Sequence, residues 1–300
     1  MSLLFNIYAY FSNKKRSKVD DDRKNKLPKV ENVIITKDLR YKDDKNKFHL
    51  FNKYTPSVTS SDYPLIIDIH GGAWFYGTKD LNEPYTNYLA SKGFNVLAPS
   101  YRLIGRYKLI DIVHDLFDFL HYVYENQEKI GVNTRDVMLV GDSAGGHLAL
   151  LIQAINENER LQKIYEVKPF KINFKLLVLE HPCPELNDLL KDGKNDFAHK
   201  ALLKAMFGRN YKKSIIYQNS SLSDFINDSY FPFIILVGGK KDHLLPQTIS
   251  THQILETYNI EHDYKLYNDV HVFEVIYYNN EASLEFNDYT LNKFKEIIGG

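Results

Sequence analysis

The apolar run Val137-Met138-Leu139-Val140 leads directly into Gly141-Asp142-Ser143-Ala144-Gly145, and residues 144–156 continue with helical spacing. A short apolar run followed by glycine reads as a buried strand. A serine between two glycines at a strand-to-helix junction requires a sharp turn, and side chains at the flanking positions would clash there. The junction limits the chain to folds in which buried strands hand over to helices. It also holds one hydroxyl out at the carboxyl end of a strand.

The rest of the chain repeats that alternation. Strands are expected at 32–36 and 48–54, as a hairpin, and then at 65–69, 94–98, 136–140, 176–179 and 233–237, with a weaker one at 264–267. Helices are expected at 82–92, 108–125, 144–156 and 283–298. The second of these carries Leu109, Ile112, Val113, Leu116, Leu120 and Val123 on one side. Such alternation implies a mostly parallel sheet with helices on both faces. With 300 residues, 44% of them hydrophobic, the chain can form a single domain with a sizeable core.

Two segments stand apart. Residues 185–228 are polar, helix-rich and too long for a plain crossover, so they read as a small cap or lid over the strand ends. Residues 1–30 form an N-terminal arm. Its first eleven residues are mostly apolar and lack the basic start and small-residue cleavage site of a signal peptide. They read as a short amphipathic helix packed on the body or covering a site. The mixed charge run from 12 to 26 reads as a solvated face or a link.

Composition excludes several classes. With 38 basic and 38 acidic residues, the chain has no electrostatic footprint for nucleic acid or an acidic membrane surface. No apolar run approaches the length of a membrane span. Cys183 is the single cysteine, so no internal disulfide forms, and a cytoplasmic location is expected.

A second Gly-rich motif, His70-Gly71-Gly72-Ala73-Trp74, follows the strand at 65–69. Two glycines after a strand let backbone N–H groups converge on one point, as stabilising a developing oxyanion requires. A serine hydroxyl is a weak nucleophile and needs a base, itself oriented by a carboxylate. Asp242 follows the strand at 233–237 and its Gly238-Gly239 turn, and His271 follows the last strand. Both fall at strand ends, where open α/β sheets bind ligands. Glu180, which also ends a strand, is the alternative acid. Asp269 lies too close to His271 in sequence to orient it. His243 adjoins Asp242, and adjacent side chains diverge. His252 and His262 fall on or beside a helix, and His147 points into the body. His70 is expected to fix the oxyanion loop by hydrogen bonds, and Cys183 to be a buried small residue.

HGGAW, GDSAGG, a Gly-Gly-x-x-Asp turn and a late histidine together resemble the α/β-hydrolase esterases of the hormone-sensitive-lipase-like group. The match runs from about Tyr63 to the C-terminus and includes Tyr101-Arg102-Leu103 and Leu244-Leu245-Pro246. The resemblance implies an α/β-hydrolase fold and a serine carboxylic-ester hydrolase acting on small to medium acyl esters. It makes Ser143 the nucleophile, Asp242 the acid and His271 the base. The N–H groups of Gly72, Ala73 and Ala144 become the oxyanion donors. Gly71, Trp74 and His181 are expected around the substrate pocket. No metal or organic cofactor is required. Two departures accompany the match: Ala73 replaces a third glycine, and Val272-Phe273 follows the base where Gly-Phe is more usual. HGG-x-W also resembles kynurenine formamidases, so an arylformamidase or amidase on the same machinery is the alternative. A binding-only protein on this fold is a further one.

Overall fold

A computed structural model of the chain describes residues 3–190 and 196–299. Eight strands form one sheet: β1 (Val33–Arg40), β2 (Leu50–Pro56), β3 (Leu65–Ile69), β4 (Asn95–Pro99), β5 (Val137–Asp142), β6 (Phe174–Glu180), β7 (Phe233–Gly239) and β8 (His262–Tyr267). The helices begin with α1 (Leu3–Lys24), α2 (Glu83–Ser91), α3 (Leu109–Glu125), α4 (Gln127–Ile130), α5 (Ala144–Asn156) and α6 (Glu159–Tyr165). They continue with α7 (Asp196–Phe207), α8 (Leu222–Phe225), α9 (Leu245–Thr257), α10 (Phe273–Ile276) and α11 (Glu281–Gly299).

The sheet order is β1-β2-β4-β3-β5-β6-β7-β8. β1 and β2 form the expected antiparallel hairpin, β2 also pairs antiparallel with β4, and every pairing from β4 to β8 is parallel. Strand alternation divides the core. Leu65, Ile67, Ile69, Val137 and Leu139 face one side with α3 and α5; Ile66, Met138 and Val140 face the other with α2 and α11. Strands buried on both faces are apolar at nearly every position, as those of β3 and β5 are.

Parallel register brings the functional chemistry to one edge. Ile69 pairs with Gly141, Asp142 with Glu180, and Glu180 with Val237. The residues just past those ends, His70, Ser143, His181 and Asp242, therefore share the carboxyl edge of the sheet.

The segment between β6 and β7 carries α7, α8 and shorter helical turns joined by loops; 191–195, part of the stretch read as a cap, lie outside the described residues. The arm differs from the sequence expectation. Its apolar start and its charge run form one 22-residue helix, α1, which packs against α7. Asn13 donates to the Phe75 carbonyl at 2.9 Å, and Tyr76 donates to Asp20 at 2.7 Å. These contacts fix charged residues that alone read as solvated. Among the described residues, no helix is long and apolar enough to cross a membrane.

Candidate active site

Ser143 stands between β5 and α5 with φ 52° and ψ −112°. This is the left-handed side of backbone space, which costs a non-glycine residue energy and aims its side chain away from the sheet. Helix α5 can begin at once only because Gly145 has no side chain: a Cβ there would lie 1.9 Å from the Ile69 carbonyl oxygen. The Ser143 N–H is tied to the Glu180 carbonyl at 2.7 Å.

The loop after β3 carries three successive positive φ angles: Gly72 at 105°, Ala73 at 53° and Trp74 at 61°. Asp142 anchors it. The Gly71 N–H and the Asn82 side-chain amide each donate to Asp142 Oδ1 at 2.8 Å. Motif reading did not assign Asp142 this task, although its place beside the serine was in view. Burial pushes the Asp142 carboxyl upward, against these hydrogen bonds. Among the described residues, the N–H groups of Gly72, Ala73 and Ala144 donate to no acceptor.

Asp242 lies on the turn after β7. Its Oδ2 accepts from His271 Nδ1 at 2.8 Å and from His181 Nδ1 at 2.6 Å, and its Oδ1 accepts the Leu244 N–H at 2.8 Å. Burial works to raise its pKa, but the hydrogen bonds from His181 and His271 hold the carboxyl well below the usual carboxylate range. Donation from Nδ1 leaves Nε2 of His271 as its basic nitrogen.

Ser143, His271, Gly72, Ala73 and Trp74 line one cavity of about 700 Å³. Helix α1 contributes Phe5, Tyr8 and Arg16 to its wall, and α7 contributes Ala198 and Leu202. Arg16 lies over the rings of Phe75 and Tyr76, 5.3 and 5.9 Å from their centroids. Cys183 also borders the cavity, and burial pushes its thiol up to about 12, so it stays protonated.

Two expected pocket residues lie elsewhere. His181 is fully buried beneath Asp242 and does not line the cavity, because its backbone continues the β6–β7 pairing through its N–H to the Val237 carbonyl at 3.0 Å. Gly71 lies behind the loop, where a Cβ would meet Asp142 Oδ2 at 2.2 Å. Trp74 does border the cavity but is 2% exposed, its indole N–H donating to His147 Nδ1 at 3.1 Å. The alternative acid, Glu180, is buried and accepts from Tyr85 at 2.7 Å, away from His271. His243 does not diverge fully from Asp242: its Nδ1 lies 3.3 Å from Oδ1, on a largely exposed side chain. His70 stacks on Tyr101 at 4.3 Å and contacts the Gly71 carbonyl at 2.8 Å, and burial lowers its pKa to about 4. Among the described residues, His181, Asp242 and His271 are one group whose ligand-type atoms lie within 4.8 Å of one another. Both imidazoles donate to a single carboxylate oxygen there, which is the geometry of a hydrogen-bonded relay.

The BD-FAE family model matches residues 51–255, more than half of the chain. The chain belongs to the BD-FAE family. This BD-FAE protein has the α/β-hydrolase fold that its motifs imply. Esterase B from Lactobacillus rhamnosis superposes on it with a TM-score of 0.93 and 27% identity, covering 98% of this chain and 95% of that one. A further structure of that esterase concerns inhibition with a C4-C4 SN3 tributyrin phosphonate. Among curated relatives, a probable isoprenylcysteine alpha-carbonyl methylesterase from Oryza sativa is 31% identical over 41% of this chain and 30% of its own length. Arylacetamide deacetylase from Bos taurus is 24% identical over 68% of this chain and 50% of its own length. The chain thus spans between about a third and a half of these two curated relatives.

Proposed function

We propose that this protein hydrolyses carboxylic esters of small to medium acyl chain through an acyl-enzyme on Ser143. His271 Nε2 takes the hydroxyl proton as Ser143 attacks the ester carbonyl, and Asp242 stabilises the resulting imidazolium. The free N–H groups of Gly72, Ala73 and Ala144 take the oxyanion. His271 returns its proton to the leaving alcohol, and water then releases the acid by the same steps in reverse. The observation that carries this reading is the convergence on one cavity of the Ser143 turn, the strained loop at 72–74 and an Asp242–His271 pair at 2.8 Å. A cavity of about 700 Å³ suits a ligand of this size. The tributyrin phosphonate inhibitor of esterase B supports short acyl chains here. The single cysteine supports a cytoplasmic location, and the balanced charge supports a small-molecule partner over nucleic acid.

The test is turnover of p-nitrophenyl esters from acetyl to lauroyl, with N-formylkynurenine alongside. Ser143→Ala is expected to abolish ester turnover while leaving the circular dichroism spectrum unchanged. Ester hydrolysis surviving in pure Ser143→Ala protein, or turnover of the formamide alone, would refute the proposal.

A further inference from the structure

Beneath Asp242 lies a buried layer that no step of this reaction uses. His181 Nδ1 donates to Asp242 Oδ2, while its Nε2 lies 3.2 Å from Glu274 Oε2. All three side chains are fully buried. The Nε2–Oε2 contact is an ion pair without hydrogen-bond geometry, and both Glu274 oxygens are otherwise without hydrogen-bond partners among the described residues. His271 meets His181 edge to face, with ring centroids 5.4 Å apart.

We propose that His181 is a positioning residue for the ester hydrolysis: held from below by Glu274, it clamps Asp242 in the orientation that meets His271. The inference rests on Ser143, Asp242 and His271 acting as the triad. A neutral imidazole carries one N–H and can switch tautomer, so it can lose its bond to Asp242. A cationic one cannot, because both nitrogens are protonated. Burial works against the cation at His181, but Glu274 and Asp242 outweigh it and raise its pKa to about 9. Below that pH Asp242 therefore receives an N–H from beneath, and Oδ2 keeps one fixed direction for His271. The cation sits between Glu274 and Asp242, the two carboxyl groups that raise its pKa. His181 faces Asp242 after β7, Glu274 on α10 and His271 after β8. Beyond these lie Glu180 at the end of β6, Asp142 on β5 and Asp68 on β3, which act on one another electrostatically, and His243 beside His271. A Cβ on Gly239 would lie 2.4 Å from the Asp269 carbonyl oxygen and 3.0 Å from His181 Cε1, so glycine lets the turn close against both.

The test compares wild type with Ser143→Ala, His181→Ala, His181→Asn and Glu274→Gln on p-nitrophenyl butyrate. Turnover by wild type and none by Ser143→Ala establishes the triad reading independently of His181. His181→Ala is then expected to lower kcat by about 10- to 100-fold with KM little changed, because the base loses its alignment. Asparagine tolerates the φ of 51° at this position and restores an N–H donor without the charge. It is expected to recover most of kcat, while the acid limb of kcat/KM moves to higher pH by about half a unit or more, since a cation near the base is gone. Folded His181→Ala with wild-type kcat and acid limb overturns the proposal. Should His181→Ala not fold, ¹⁵N NMR of the imidazoles decides. The resonance missing from His181→Asn must be doubly protonated at pH 7 in wild type, and must titrate at lower pH in Glu274→Gln. A neutral His181, or a titration that Glu274→Gln leaves in place, overturns the proposal.

Discussion

Ala73 holds φ 53° where related loops carry a third glycine, and an L side chain in that region costs about 1–2 kcal/mol. It has company: of the nine non-glycine residues with positive φ among those described, Ala73, Trp74, Ser143, His181 and Val272 belong to the site. Val272, the other departure from the family pattern, is β-branched and sits at φ 48° directly after His271. Strain gathered this way persists only where the surroundings over-determine the backbone. Neighbouring positions should therefore respond oppositely to small changes. Ala73→Gly is expected to stabilise the protein by about 1 kcal/mol in denaturant melts, with ester turnover retained, because the N–H stays in place. Gly72→Ala is expected to cost more than about 2 kcal/mol and most of the activity, because its Cβ would lie 2.2 Å from the Tyr76 carbonyl oxygen at a φ of 105°. Equal melting midpoints for the two variants would show that the loop does not hold these angles.

One buried histidine joins three elements. Trp74 of the loop after β3 donates to His147 Nδ1 on α5, and His147 Nε2 donates to the Ser220 carbonyl before α8 at 2.7 Å. His147→Leu leaves a buried N–H and a buried carbonyl unpaired, with an expected loss of about 2–4 kcal/mol at pH 7. Burial lowers the His147 pKa to about 4 from its ordinary 6.5. The unfolded chain thus takes up this proton first on acidification, and the stability tied to neutral His147 is lost as pH falls from about 6.5 through 4. The gap between wild type and His147→Leu should narrow over that window; a gap that widens on acidification would contradict the pairing. From sequence, the body direction of His147 was legible but neither partner was. The same division holds across the elements. Apolar runs announced β3 to β7 to within a few residues, and motif spacing placed Ser143, Asp242 and His271 at strand ends, because both signals are local. The sequence reading places His181 at the pocket, but its bond to Asp242 escapes for a different reason. His181 follows β6 and lies 61 residues from Asp242, and only the β6–β7 register makes them neighbours. Only the charged half of α1 escaped, because it is held by Phe75, Tyr76 and Asp80, contacts that no local pattern records.

At the scale of the molecule, the sheet supplies the reactive groups and the N-terminal helix supplies part of the room around them. Phe5 meets the Phe75 ring edge at 5.6 Å, Arg16 covers Phe75 and Tyr76, and α1 packs against α7, both lining the cavity. Yet among the described residues α1 gives the buried core only Phe5 and Ala9, and the two cores flanking the sheet are otherwise built from the rest of the chain. Removing residues 1–24 should therefore spare the fold and open the cavity. The consequence depends on acyl length. Each methylene buried against a wall contributes about 0.8 kcal/mol, so the four that separate hexanoate from acetate are worth about 3 kcal/mol in a closed cavity. Losing roughly half of that contact lowers the hexanoate-to-acetate ratio of kcat/KM by about tenfold. The measurement is that ratio, taken with p-nitrophenyl esters on full-length and truncated protein of matched circular dichroism. A parallel fall for both esters would assign α1 to bracing the loop at 72–76, and an unchanged ratio with unchanged rates would remove it from the substrate's surroundings altogether.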